Sequence, residues 1–329
     1  MTRSEIGGRA RNRLLLVNYH YVRDPGAAPY AGIHAMAPPA FAEQVGALAR
    51  RFHMPHPDEA LAFLRGQAEL PGPSLLLTFD DGLKDHAWVA REVLEPLGLR
   101  GIFFAISRPL NEGRAAAVHK VHWLRAHLAP KIFRQRFLAA LPREWRDPAS
   151  DAELRRSATA MYVYDTVEEA ILKFHINFRL PRQILDGVTS AMLAEEYGDE
   201  GAFCAATYLS ADELAALHRA GHVVGAHGHT HAPFSALAAA ELDAEMNECV
   251  AMIDRYTGGP PRWVAYPYGR ERALPNDPEA LCRRFGLDAG LTLQVGWNDG
   301  TGSPYVVKRI NCNELPAMTA QPAAASARP

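Results

Sequence analysis

Short apolar runs alternate along the chain with longer stretches in which apolar side chains recur at three- and four-residue spacing. The runs at 14–18, 74–79, 101–105, 223–226, 263–266, 289–293 and 305–310 predict buried strands, and the stretches at 39–52, 84–97, 210–220, 236–256 and 277–285 predict amphipathic helices. Strand and helix in alternation point to βαβ units around a parallel sheet. Ser210-Ala-Asp-Glu213 has capping-box spacing, so its helix should open there and stop at Gly221. Between 107 and 205 the rhythm fails, and only helical patterns such as 166–178 and 180–195 occur. That stretch reads as a helical insertion after the third strand, where it could serve as a lid or specificity wall. The ends, basic at 1–12 and rich in Ala and Pro at 317–329, are expected to be disordered around one domain at 13–316. No internal repeat is visible.

Composition narrows the function classes. A chain of 329 residues, 48% hydrophobic and 22% charged, can bury the core of one large α/β barrel or of two ordinary domains. Its 35 basic and 37 acidic residues are well mixed and sum to −2, which leaves no footprint for nucleic acid or an anionic membrane. A polar, near-neutral ligand fits better. The apolar stretch at 14–17 is far short of a signal core or a membrane span, so a cytoplasmic protein without a membrane span is expected. Four cysteines (Cys204, Cys249, Cys282, Cys312) lie far apart with no CxxC pair, which suggests free thiols.

Three segments carry candidate chemistry. Leu75-Leu-Leu-Thr-Phe-Asp-Asp-Gly82 is an apolar strand ending in two adjacent carboxylates. Once the chain turns, one carboxylate can bind a metal while the other faces water, although an isolated Asp-Asp-Gly is more often a polar turn that caps the next helix. Gly225-Ala-His-Gly-His-Thr-His231 ends another predicted strand. Two imidazoles and a carboxylate leave a metal position open for water, as hydrolytic zinc sites require. His227 and His231, four apart, would share one face of a helical turn, and His229 would point elsewhere unless the segment is extended. A His-rich loop on its own can equally be a solvated turn. Trp263-Val-Ala-Tyr-Pro-Tyr-Gly269 runs a strand into a turn whose amides could meet a ligand, with Tyr266, Pro267 and Tyr268 as candidates to hold substrate or oxyanion.

In order and spacing these segments resemble the polysaccharide deacetylases of carbohydrate esterase family 4, with their Thr-Phe-Asp-Asp-Gly, His-x-x-x-His and aromatic-Pro-Tyr-Gly motifs. The resemblance spans about 14–312, with the insertion outside it. It implies a distorted (β/α) barrel of seven or eight mostly parallel strands, with Asp81, His227 and His231 as metal ligands and Asp80 as general base. It also implies an oxyanion donor in the backbone near Tyr268. Carboxylate plus two imidazoles suits Zn²⁺, and Co²⁺, Ni²⁺ or Fe²⁺ would accept the same donors.

The chain departs from the family pattern twice. Many members carry an Arg where this chain has Ala265, so the partner that orients the catalytic Asp must come from elsewhere, with Arg309 or Arg270 as candidates. The late Leu-x-His segment that supplies the general acid is absent, since no histidine follows His231. Val17-Asn-Tyr-His-Tyr-Val22 resembles the N-terminal Tyr-His segment of the poly-N-acetylglucosamine deacetylase branch, whose motif order is circularly shifted, and this makes His20 the candidate acid. The bland reading is a His packed between two tyrosines at a strand end. His229 could also line the pocket, and His119, Lys120 and His122 could bind substrate or form a wet loop. Asp85 and His86 read as residues that cap or solvate their helix. The expected reaction is hydrolysis of an amide-linked acyl group, acetyl first, on an N-acylated sugar or glycan precursor. The alternatives are a deformylase or cyclic amidase with the same site, or a non-catalytic glycan-binding protein.

Overall fold

The computed structural model describes residues 12–315 apart from 27–32, 34 and 164. The ends expected to be disordered lie outside the described residues except Asn12, whose side-chain carbonyl accepts from the Leu70 amide at 3.0 Å. Seven parallel strands form one sheet in the order β6-β5-β4-β3-β2-β1-β7. They are β1 (Arg13–Tyr19), β2 (Pro73–Phe79), β3 (Ile102–Ala105), β4 (Val223–Ala226), β5 (Trp263–Ala265), β6 (Ala289–Leu291) and β7 (Arg309–Asn311). A parallel bridge between Leu291 and Val307 links the sheet's two edges, so the sheet forms a nearly closed (β/α) barrel. The last strand is shorter than the pattern predicted. Pro304–Val306 winds into a 3₁₀ turn, because Pro304 fixes the first position and the Ser303 hydroxyl caps it.

Side-chain alternation sorts the strands into two layers. Leu14, Leu16, Leu76, Ile102, Phe104, Trp263, Ala265, Ala289, Leu291 and Val307 pack together and fill the barrel interior. Leu15, Val17, Leu75, Leu77, Phe103, Val224, Val264 and Ile310 face outward onto the surrounding helices. Gly225 is an interior position where a Cβ would stand 2.5 Å from the Phe104 ring, so only glycine lets that ring fill the floor beneath the site.

The helices are α1 (Pro38–Arg51), α2 (Pro57–Leu64), α3 (Asp85–Val89), α4 (Arg108–Glu112), α5 (Ala117–His127), α6 (Pro130–Ala140), α7 (Ala152–Met161), α8 (Val167–Phe174), α9 (Arg182–Glu196), α10 (Glu200–Thr207), α11 (Ala211–Arg219), α12 (Ala239–Thr257) and α13 (Pro278–Arg284). The capping box at Ser210 is present. Helix α3 runs on into a π-helical turn at Ala90–Leu94. Helices α4 to α10 follow β3 with no strand among their described residues, and they bury a core of their own around Trp123, Leu124, Phe137, Leu193 and Phe203. This insertion is fastened from within: Lys120, fully buried, places its ammonium 2.7 Å from Asp186, 2.9 Å from Glu200 and 2.8 Å from the Ser190 hydroxyl. A buried ammonium is tolerated only when its donors are met in this way. Lys120 is therefore a strut of the insertion rather than the substrate contact the sequence suggested.

Candidate active site

Parallel strands deliver their C-terminal ends to one mouth, and the register sets what gathers there. Tyr19 pairs with Phe79, Ala105 with Ala226 and Ala226 with Val264, so His20, Asp80, Asp81, His227 and Tyr266 leave the sheet at adjacent positions. Among the described non-glycine residues, only Asp81 (φ 78°), His231 (φ 62°) and Tyr268 (φ 63°) take left-handed backbone conformations. Such strain costs about 1–3 kcal/mol per residue and persists where the surroundings enforce it. Here all three strained residues stand at the mouth.

Asp81, His227 and His231 are buried, and one ligand atom from each lies within 4.8 Å of the other two. His227 Nε2 is 3.2 Å and His231 Nε2 3.3 Å from Asp81 Oδ1. The Nδ1 of His227 lies 2.7 Å from the carbonyl of Ala265, which can only accept. Nδ1 therefore carries a proton, and in the neutral imidazole, the form that binds a metal, Nε2 turns a lone pair toward the carboxylate. Asp81 Oδ1 and His227 Nε2 are buried without hydrogen-bond partners. Two converging acceptors left unsatisfied in the interior are the chemistry of a cation site, so the donor set fits a divalent metal. The segment is not the helical turn its spacing suggested. It is a loop in which Gly228 (φ 76°) and His231 both take positive φ, and that bend brings the two imidazoles together.

A buried carboxylate holds the bend. Glu245 of α12 accepts from the amides of His229 at 2.7 Å and Thr230 at 2.8 Å, and from the Thr230 hydroxyl at 2.5 Å. His229 itself turns away from the metal set. Its ring nitrogens meet the Ser107 hydroxyl and the Glu112 carboxylate, each at 2.9 Å, and it lines a separate groove instead of the pocket.

Asp80 faces the barrel interior and is gripped by Arg309, which donates to its two oxygens at 2.8 and 2.9 Å. Arg309 is fully buried and also donates to the Thr292 carbonyl, the Asn18 side chain and the Thr78 hydroxyl. Burial alone would raise the pKa of the Asp80 carboxyl, but the Arg309 guanidinium outweighs it and holds that pKa below the ordinary value. Arg309 thus stands where the missing Arg of the third motif was sought, while Arg270 is exposed.

His20 follows β1 and lines the same pocket as Asp80, Asp81, His227 and His231. The loop that carries it is held by the next helix. Asp85 accepts from the Val22 amide at 3.0 Å and from Arg23 at 2.8 Å. His86, fully buried and pushed down to about 4 by desolvation, is neutral and donates its Nε2 proton to the His20 carbonyl at 3.1 Å. Asp85 and His86 were expected to cap or solvate their helix; they brace the His20 loop instead.

The pocket holds about 290 Å³, walled on the barrel side by the residues above with Tyr266, Tyr268 and Leu293. The insertion supplies the facing wall: Val118, Val121, His122 and Arg125 from one stripe of α5, with Lys173, Ile176 and Asn177. His122 joins the wall as one of the readings anticipated, its Nδ1 3.2 Å from the Tyr21 hydroxyl. Tyr268 packs its ring 4.9 Å from that of His231. The Tyr266 hydroxyl is committed to the Tyr305 carbonyl at 2.8 Å, and Pro267 is buried with no N–H to give. Glu245 was missed in the sequence, although it stands among Met246, Cys249 and Met252 on the buried face of α12, and a carboxylate on an apolar stripe is a signal.

Residues 188–289 match the family model described as polysaccharide deacetylase, a span that contains His227, His231 and the Tyr266–Gly269 turn. No curated protein matches the sequence. Among solved structures, the fold is similar to IcaB from Ammonifex degensii, at 17% identity over 94% of this chain and 96% of that one with a TM-score of 0.54. It is similar also to the Streptococcus pyogenes deacetylase PplD in complex with acetate, at 14% identity over 94% and 99% with a TM-score of 0.55. A de-N-acetylase from Aggregatibacter actinomycetemcomitans aligns at 15% identity over 91% and 94%, with a TM-score of 0.52. The seven-stranded barrel is the fold of these proteins.

Proposed function

We propose that this chain, which belongs to the polysaccharide deacetylase family through residues 188–289, removes an acyl group, acetyl first, from the nitrogen of an amino sugar or glycan precursor. The observation that carries the reading is the adjacency of two differently served carboxylates. Asp81 turns an unpartnered oxygen toward two imidazoles, and Asp80, one residue before it, is held ionised by Arg309. A site that only bound metal would need the first and not the second.

Asp81, His227 and His231 would hold the cation, Zn²⁺ by the character of the donors. When bound, a divalent ion polarises a carbonyl and lowers the pKa of water. Asp80, an ionised acceptor whose orientation is fixed by two N–H donors, takes the proton from the attacking water. His20, on the same pocket wall, gives a proton to the departing amine, an assignment in keeping with the shifted motif order of the poly-N-acetylglucosamine deacetylase branch. The Tyr268 amide would serve the developing oxyanion, since the Gly269 and Arg270 amides already donate to the carbonyls of Tyr266 and Tyr268 and Pro267 has no N–H. A pocket of about 290 Å³ with the insertion as its far wall suits a single acylamino sugar unit presented end-on.

Release of acetate or formate from N-acetyl and N-formyl amino sugars by the purified, metal-loaded chain tests the reaction. The acid has its own signature. His20→Gln is expected to slow amide hydrolysis about 10²-fold or more, yet to leave hydrolysis of an activated aryl acetate nearly intact, because a phenolate leaves without a proton. Equal losses on both substrates would remove His20 from that role.

A further inference from the structure

Oxygen Oδ2 of Asp81 is not free. His119 Nε2 lies 3.1 Å from it, and His119, on α5 of the insertion, is buried at 1% exposure. Its other nitrogen, Nδ1, lies 2.5 Å from the hydroxyl of Tyr208, the residue that follows α10. That hydroxyl is also 3.0 Å from the amide of Ala116. A carboxylate oxygen can only accept, so His119 carries its proton on Nε2 and its Nδ1 takes the Tyr208 hydroxyl proton, while the Tyr208 oxygen accepts from the Ala116 amide. The imidazole is thereby fixed with its proton on Nε2, directed at the carboxylate.

We infer that His119 is a positioning residue of the metal centre: it occupies Asp81 Oδ2, confines the carboxylate to one-oxygen ligation through Oδ1, and so makes cation affinity depend on the helical insertion. This rests on the metal reading above. Two oxygens of one carboxylate compete for the same cation, and a carboxylate free to rotate can chelate with both or swing away. An N–H on Oδ2 blocks both outcomes and leaves Oδ1 beside His227 and His231, while a further position on the ion stays open for water. The same contact ties α5, which supplies the substrate-facing stripe at Val118, Val121, His122 and Arg125, to the metal set.

The test is cation affinity, measured on the full metal-free chain by competition with a chelating indicator for Zn²⁺ and Co²⁺. His119→Ala is expected to bind about 10–100-fold more weakly than wild type, and its Co²⁺ absorption spectrum should shift as Asp81 gains a second coordinating oxygen. His119→Gln, whose amide N–H reaches the place of Nε2, should recover most of the loss. Tyr208→Phe, which keeps the imidazole but removes the hydroxyl that meets its Nδ1, should fall between. Melting of each metal-free variant identifies any that fails to fold; should His119→Ala be one, Tyr208→Phe decides. Affinities within twofold of wild type for the folded variants would overturn the inference and leave the metal reading standing. A wild-type chain that takes up no cation would end both.

Discussion

Asp80→Asn is expected to lower hydrolysis of an N-acyl amino sugar by about 10²–10⁴-fold while leaving cation affinity close to wild type. The substitution preserves shape and one acceptor oxygen for Arg309, but it removes the group that can take a proton. Asp80 is not among the three residues whose ligand atoms converge, so binding and chemistry should separate. Steady-state release of the free acid, measured beside indicator competition, reads both quantities on one preparation. A variant that keeps more than about a tenth of wild-type turnover would mean that another group is the base.

Arg309→Met should be the most damaging single change to the fold. The guanidinium is fully buried, makes five hydrogen bonds and neutralises a carboxylate that is itself 2% exposed. Breaking a buried pair from one side strands the other charge, at a cost of about 3–5 kcal/mol. The pH dependence gives the sign. In the native chain the folded-state pKa of Asp80 is lowered, so the pair's contribution is present above the unfolded carboxyl value of about 3.9 and fades as pH falls through the lower folded value. In the variant, burial acts on Asp80 without Arg309, the strongest group that opposes it, and its pKa should rise, so the deficit should be greatest near neutrality and narrow on acidification. Adding Asp80→Asn should recover part of the loss at neutral pH, since no charge is then stranded. Denaturant titrations at neutral and acidic pH measure these effects, and a deficit under about 1 kcal/mol at neutrality would contradict the pairing account.

The parts of this molecule visible in the sequence share one property: each depends on residues close together in the chain. Strand β4 matched its predicted bounds because Gly221 and the loop beyond Ala226 punctuate it locally. Thr78–Gly82 and His227–His231 could be read because motif spacing is itself local. What escaped, or stayed one of two candidates, depends on distance in sequence. Arg309, which the sequence offered only beside Arg270, reaches Asp80 across 229 positions, and His119, read as a substrate contact or part of a wet loop, reaches Asp81 across 38. Helix α2, only eight residues long, is carried by Pro57 at its first position and by packing of Ala60, Leu61, Phe63 and Leu64 against the barrel interior core. The bend of the histidine loop was misread for a related reason. Its two positive-φ residues are enforced by Glu245 on a helix that follows the loop, and no helical periodicity within the loop anticipates that.

The most direct test of a metal-assisted deacylation is to strip the full chain with a chelator, reload it with Zn²⁺ in steps, and follow bound metal and released acetate together on an N-acetylated amino sugar. The expected result is loss of turnover on stripping and recovery in proportion to metal, saturating at one ion per chain. Undiminished turnover in the stripped chain, or one tightly bound ion with no turnover on any acylamino sugar, would contradict it.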